Sequence, residues 1–181
     1  MLGVVMSSFA ELLEDNFGKT LVTEVMSQCA PVGGMYKPDG YYPFEDFKRL
    51  LTVTSRRTGV SEARLQLHFG RYLFSRFATR HAKMLTPYQR VIPMLASLDS
   101  EVHKQVRDQY PEAELPHIGV LETQGNHIRL SYRSNHRLIS VACGMIEGAG
   151  MHFKSPVEVQ ISEPSATGEY EISVTEQMKS D

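Results

Sequence analysis

Apolar residues recur at helical spacing along the first two thirds of the chain and at alternate positions in the last third. Val5, Phe9, Leu12, Leu13 and Phe17 make one stripe, which Gly18 should end. Leu21, Val22, Val25 and Met26 predict a second short helix over Thr20 to Ala30. Pro31 to Tyr42 is rich in Gly, Pro and Tyr and reads as an ordered loop. Tyr42-Pro43 opens a third helix with proline in its first turn, facing inward through Phe44, Phe47, Leu50 and Leu51 and ending at Thr58-Gly59. Ser61 caps a fourth helix through Leu65 and Phe69, and Tyr72, Leu73 and Phe77 carry a fifth. Gly70 between them marks a break or a close packing contact. Pro87 starts a sixth helix with Val91, Ile92, Leu95 and Leu98.

Asp99 to Pro116 predicts the last helix of this series. Asp99 or Ser100 is its cap, Val102, His103, Val106 and Tyr110 share one face, and Pro111 stops it. After Pro116 the period becomes two. Ile118 and Val120, then Ile128, Leu130 and Tyr132, flank Thr123-Gln124-Gly125-Asn126, a hairpin turn. Leu138 to Phe153 returns to helical period, with small residues Ala142, Gly144, Gly148 and Gly150 that let another backbone approach. Val157-Val159-Ile161 and Tyr170-Ile172-Val174 are two more strands, and Glu176 to Asp181 read as a polar tail. The expected fold class is α+β: a helical N-terminal subdomain followed by an antiparallel four-stranded sheet with one helix.

Composition narrows the partners. The 181 residues are 41% apolar and 22% charged, enough for one domain with a sizeable core. Net charge is -2 with no long basic run, which argues against nucleic acid. No apolar stretch reaches the ~18–20 residues of a membrane span. Glu11, Glu14 and Asp15 come too early for a signal peptide. Two cysteines, Cys29 and Cys143, form no CxxC pair, so a reduced, cytoplasmic protein is the simplest expectation.

Two stretches carry candidate chemistry. His103 is a ligand-capable side chain on an otherwise apolar face; such a histidine is either a ligand or a core residue bonded to a carbonyl or a water. Tyr132-Arg133-Ser134-Asn135-His136-Arg137 places two hydroxyls on one strand face, just before a helix N-terminus and near Arg137. That is an anion site, or a polar strand end with a helix cap.

Together these stretches resemble the bacterial haem nitric oxide/oxygen-binding domain (H-NOX), related to the haem domain of soluble guanylate cyclase. The resemblance runs through Met1-Leu2-Gly3-Val4-Val5, Phe9 to Phe17, Phe69-Gly70-Arg71-Tyr72-Leu73-Phe74, Glu101-Val102-His103, Tyr110-Pro111, Leu115-Pro116, the Tyr-x-Ser segment and Gly144-Met145-Ile146-Glu147-Gly148. It implies one haem domain over residues 1–181, helical to about residue 86, with the proximal helix, sheet and C-terminal helix after it. His103 matches the proximal ligand of a haem b iron. Pro116 matches a proline that distorts the porphyrin, and Tyr132 and Ser134 match two members of the Tyr-x-Ser-x-Arg motif that holds the propionates. Val5, Phe9 and Met145 match the apolar pocket, although core packing accounts for them equally well.

Two positions depart from the family pattern or qualify it. The motif arginine falls on His136, with Arg137 next to it, so either could meet a propionate. A histidine must be protonated to match an arginine there, which implies haem binding that is retained but weaker and more pH-sensitive. Val141 stands where oxygen-binding relatives carry a distal tyrosine. Valine has no donor for the partial charge on bound O₂, so the implied function is a ferrous-haem sensor selective for nitric oxide, with CO as a further ligand. The implied switch is weakening of the His103–iron bond, relaxation of the haem against Pro116 and movement of the helical half against the sheet. No catalytic domain is present, so the chain is not expected to be an enzyme; its output would go to a separate histidine kinase, as in two-component signalling, or to a cyclic-di-GMP enzyme. The competing expectation is a haem-free or weakly haem-binding module that acts by protein contact.

Overall fold

The computed structural model describes residues 1–29, 35–136 and 138–177. The helical half comprises α1 (Gly3–Cys29), α2 (Phe44–Thr58), α3 (Glu62–Arg80), α4 (Ala82–Leu85), α5 (Val91–Ala96), a π-helical turn (Leu98–His103) and α6 (Lys104–Gln109). It is followed by β1 (His117–Gln124), β2 (His127–Arg133), α7 (Ile139–His152), β3 (Val157–Ile161) and β4 (Tyr170–Glu176). The strands form one antiparallel sheet in the order β1-β2-β4-β3, so the fold is the α+β arrangement expected from the change of period at Pro116.

Local chemistry explains several element ends. The Ser61 hydroxyl accepts the Arg64 N–H at the start of α3, and Gly59, at φ 72, closes α2 by donating its N–H to the Ser55 carbonyl. Gly125 takes φ 59 in the first central position of a two-residue hairpin turn, so Thr123 and Gln124 remain in β1. The loop expected before α2 folds back on the N-terminus in its described part: Tyr42 N–H donates to the Met1 carbonyl and the Tyr36 hydroxyl to the Cys29 carbonyl.

Four expectations change. The expected fourth and fifth helices are one, α3, unbroken through Gly70, whereas Gly18, at φ 81 and ψ 169, does separate two helices within α1 as expected. Pro87 does not start a helix. α5 begins at Val91, whose N–H donates to a carboxylate oxygen of Glu176, 85 residues away. The His103 segment is not one capped α-helix, because Asp99 lies inside a π-turn that hands over to α6 at Lys104. Glu176 does not belong to a polar tail; it ends β4 fully buried, with Arg90 Nη2 at 2.8 Å from its other carboxylate oxygen.

Two apolar cores result. The helical core gathers Met6, Phe9, Leu13, Phe47, Leu50 and Phe69. Phe9 packs edge-on against Phe47 and Phe69, at 5.5 and 5.1 Å between centroids, contacts that each add about 0.5–1.5 kcal/mol beyond simple burial. The sheet core gathers Ile128, Leu130, Ile172 and Val174 under Ile92 and Ala149. α7 belongs to both: Val141 sits in the first, Ile146 in the second, and Met145 packs against each.

α7 reaches this position through close contact with α3. α3 runs unbroken through Gly70, so that glycine serves close packing. A Cβ on Gly70 would sit 2.8 Å from the Gly144 Cα and against the Val141 carbonyl; one on Gly144 would meet the Leu67 carbonyl, and one on Gly148 would sit 2.9 Å from the Phe74 Cβ. Arg71 Nε donates to a Glu147 carboxylate oxygen at 2.6 Å across the same seam. Gly-to-Ala inside a helix ordinarily stabilises by up to ~1 kcal/mol. Here the sign reverses: Gly144→Ala is expected to destabilise by about 1–3 kcal/mol in urea unfolding, because backbone rather than a flexible side chain must give way. A neutral or stabilising result would show that the seam has slack.

Candidate functional site

The sequence-predicted site residues fall into three groups. The first surrounds His103, which closes the π-turn with only 12% of its side chain exposed. Its Nδ1 lies 3.1 Å from Asp99 Oδ1. Arg107 approaches the same carboxylate oxygen at 3.5 Å and donates from Nη2 to the Asp99 carbonyl at 3.1 Å, and His117 Nδ1 lies 3.9 Å from Asp99 Oδ2. Burial raises the Asp99 carboxyl, but the His103 bond, Arg107 and the charges of His103 and His117 outweigh it and hold the group below its ordinary range. An ionised carboxylate only accepts, so Nδ1 of His103 carries the proton and Nε2 keeps a free lone pair.

The second group lies at the end of β2. Tyr132 is buried; burial raises its pKa, and the neighbouring Ser134 side chain partly offsets this. Ser134 accepts the His136 N–H. The His136 ring stacks on Phe44 of α2, with centroids 4.0 Å apart, and its Nε2 lies 2.8 Å from a Glu114 carboxylate oxygen. Arg137 lies outside the described residues. The third group is apolar: Phe9 and Val141 are buried in the helical core, and Val5 and Met145 pack against it.

One short segment links the first two groups. β1 and β2 pair from His117↔Arg133, so Pro116 comes one residue before the first pair, beside the Tyr132–Ser134 end of β2. Glu114, two residues earlier, faces His136, and His117, one residue later, faces Asp99. Asp99, Glu114, Phe44 and His117 are the members that sequence reasoning missed. The four-residue spacing of Asp99 and His103 was the available signal for one of them; the others depend on contacts between distant segments.

The thiols stand apart from this chemistry. Cys29 and Cys143 are buried, and burial raises both pKa values, that of Cys143 to about 11 with Glu147 adding to it. Neither thiol has the exposed, electropositive setting of a reactive cysteine.

A family model described as Haem-NO-binding matches residues 2–161. No curated protein matches the chain. Solved structures do. A point mutant of an H-NOX protein from K. algicida, in its unliganded Fe(II) form, is 30% identical with a TM-score of 0.91, over 98% of this chain and 97% of that one. An H-NOX protein from S. oneidensis in its Fe(II)NO state is 22% identical with a TM-score of 0.91, over 98% and 100%. A mutant of the T. Tengcongensis H-NOX is 20% identical with a TM-score of 0.87, over 98% of each chain. The last two bear on the fold alone.

His103 of the site and His81 at the end of α3 also set an acid limit on stability. Burial holds the imidazoles of His103 and His81 below their ordinary 6.5, against the opposing pull of Asp99 for His103 and with help from Arg80 for His81. Below that value the unfolded chain takes up protons that the folded chain refuses, so stability is expected to fall as pH drops through about 6.5. Asp99 acts in the same direction lower down: its contribution is present above its ordinary 3.8 and lost as pH falls further. Thermal unfolding followed from about pH 7.5 to about pH 5 should show the midpoint falling, less steeply in His81→Gln. A midpoint independent of pH over that window would contradict this.

Proposed function

The chain belongs to the haem-NO-binding family, and on that premise we propose that it is a ferrous-haem sensor that selects nitric oxide over oxygen. The observation that carries the reading is His103 itself: an almost buried imidazole with Nδ1 held by Asp99 and Nε2 left with its lone pair. That is the donor state a residue that would hold a haem iron needs. Haem b, when bound, supplies a ferrous iron that takes up the gas.

The remaining residues fit the group. Tyr132 and Ser134 offer hydroxyls to the propionates, and His136 already faces a carboxylate, that of Glu114, where a propionate would need a partner. Glu114 has 59% of its side chain exposed, so it can swing into water at little cost. Arg137 is the alternative partner. Pro116, with its restricted ring, would press on the porphyrin from the segment between Glu114 and His117. Val5, Phe9, Val141 and Met145 would exclude water from the other side. Val141 offers no hydrogen bond, which removes the support that bound oxygen needs and nitric oxide does not.

Loosening of His103 would reach β1 through Asp99 and His117, and the helical half, with α7 locked to α3, would shift against the sheet. The whole chain would act as one haem domain, non-catalytic itself, that passes this signal in a bacterial cytoplasm to a separate histidine kinase or cyclic-di-GMP enzyme. Among the described residues, no helix is long and apolar enough to cross a membrane.

The reading is tested by absorption spectra of haem-reconstituted protein, reduced without air and then exposed separately to air and to nitric oxide. The expected result is a five-coordinate ferrous spectrum that air leaves unchanged and nitric oxide shifts. His103→Ala should lose it unless imidazole is added, and Val141→Tyr should begin to bind oxygen. Failure to take up stoichiometric haem would favour a haem-free interaction module, and a stable oxygen complex in the wild type would refute the selectivity.

Propionate pairing by His136 has its own signature. A protonated imidazole holds a carboxylate more firmly than a neutral one, so haem retention should decline from about pH 6 to about pH 8. The decline should vanish in His136→Gln. A wild-type profile that is flat would count against His136 as the propionate partner.

A further inference from the structure

We propose that Asp99 is a positioning residue for the sensor, fixing the tautomer and orientation of His103 and setting how firmly that imidazole grips the iron, while Arg107 and His117 moderate its charge. The inference rests on the haem-sensor reading and goes beyond it, because it concerns the strength of the bond whose loosening would be the signal.

The geometry is specific. Asp99 and His103 lie in the same π-turn, with Asp99 Oδ1 at 3.1 Å from Nδ1, and both side chains are largely shielded, at 27% and 12% exposure. A carboxylate that accepts the Nδ1 proton makes Nε2 the better donor and restricts rotation of the ring. The same carboxylate is contested. Arg107 Nη1 stands 3.5 Å from Oδ1, and His117 Nδ1 stands 3.9 Å from Oδ2 on the far side. The Arg107 cation weakens the pull of Asp99 on His103, and His117 does so only in its protonated form. Arg107 comes from α6 and His117 from the first residue of β1, so Asp99 is where the π-turn, the next helix and the sheet meet.

This arrangement makes a two-sided prediction that general damage to the fold does not share. Removing the carboxylate weakens the iron–His103 bond, and removing Arg107 strengthens it. The experiment uses the full haem-loaded chain in the ferrous state and compares the wild type with Asp99→Ala, Asp99→Asn and Arg107→Gln. The readouts are the iron–histidine stretching frequency by resonance Raman, the haem reduction potential, and the fraction of nitric-oxide-treated protein that keeps His103 on the metal.

Both Asp99 variants are expected to lower the stretching frequency, raise the potential, and increase haem loss on the order of tenfold. Arg107→Gln is expected to move frequency and potential the other way. Asp99→Asn and Arg107→Gln preserve shape, so one of them reports even where Asp99→Ala does not fold. An unmoved frequency in the Asp99 variants, or a shift of the same sign in the Asp99 and Arg107 variants, overturns the proposal. Absence of His103 ligation in the wild type would sink the haem-sensor reading first, and this proposal with it, so the two failures are distinguishable.

Discussion

The structure depends on two helices approaching to backbone contact. Gly70 on α3 and Gly144 and Gly148 on α7 remove the side chains that would hold the helices apart, and the carbonyls of Leu67 and Val141 occupy the space where Cβ atoms would be. A seam of this kind resists sliding, because any shift along the helix axes drives backbone into backbone. Arg71 and Glu147 pin its register with a hydrogen bond of 2.6 Å, about a third of each side chain remaining in water. Solvent screening keeps that pair to about 1 kcal/mol, so its contribution lies more in alignment than in stability. The seam also explains how a chain of this length holds two cores. α7 presents Val141 to the helical core and Ile146 to the sheet core from one rigid rod, and Met145 touches both.

The candidate site is built from pieces that no single element supplies. His103 comes from a π-turn, Tyr132 and Ser134 from the end of β2, and Val141 from α7. The segment from Glu114 to His117 connects the first two, one end facing His136 and the other Asp99. Proline in the middle limits how far those ends can move independently. A displacement at His103 would therefore be felt at His136, and through its stack on Phe44, at α2.

Glu176 anchors the turn from the opposite side. A buried carboxylate costs several kcal/mol unless its lone pairs are met. Here one oxygen accepts the Val91 N–H at the start of α5, and the other lies 2.8 Å from Arg90. The end of β4 is thus tied to the helix immediately before the π-turn, and His117 ties β1 to the turn itself. The position of His103 relative to the sheet is held at both ends.

What the sequence determined by itself follows from short-range rules. Ser61, Gly59 and Gly125 act within a few residues, through capping or a positive φ, and each does so where the pattern placed it. The change from period 3.6 to period 2 at Pro116 set the fold class, and the small residues of α7 announced that a backbone would come close. Which backbone it was, and what several polar residues do, required the tertiary structure. Asp99 had the spacing to reach His103 but equally the composition of a helix cap; packing of the turn against β1 decided between them. Glu176 reads as the first residue of a polar tail until Val91, 85 positions earlier, donates to it. His136 reads as a missing arginine until Phe44 and Glu114 close around it. In each case the deciding partner is remote in sequence, and a pattern with a memory of three or four residues does not encode a contact whose closure is enforced by the collapse of two cores onto one helix.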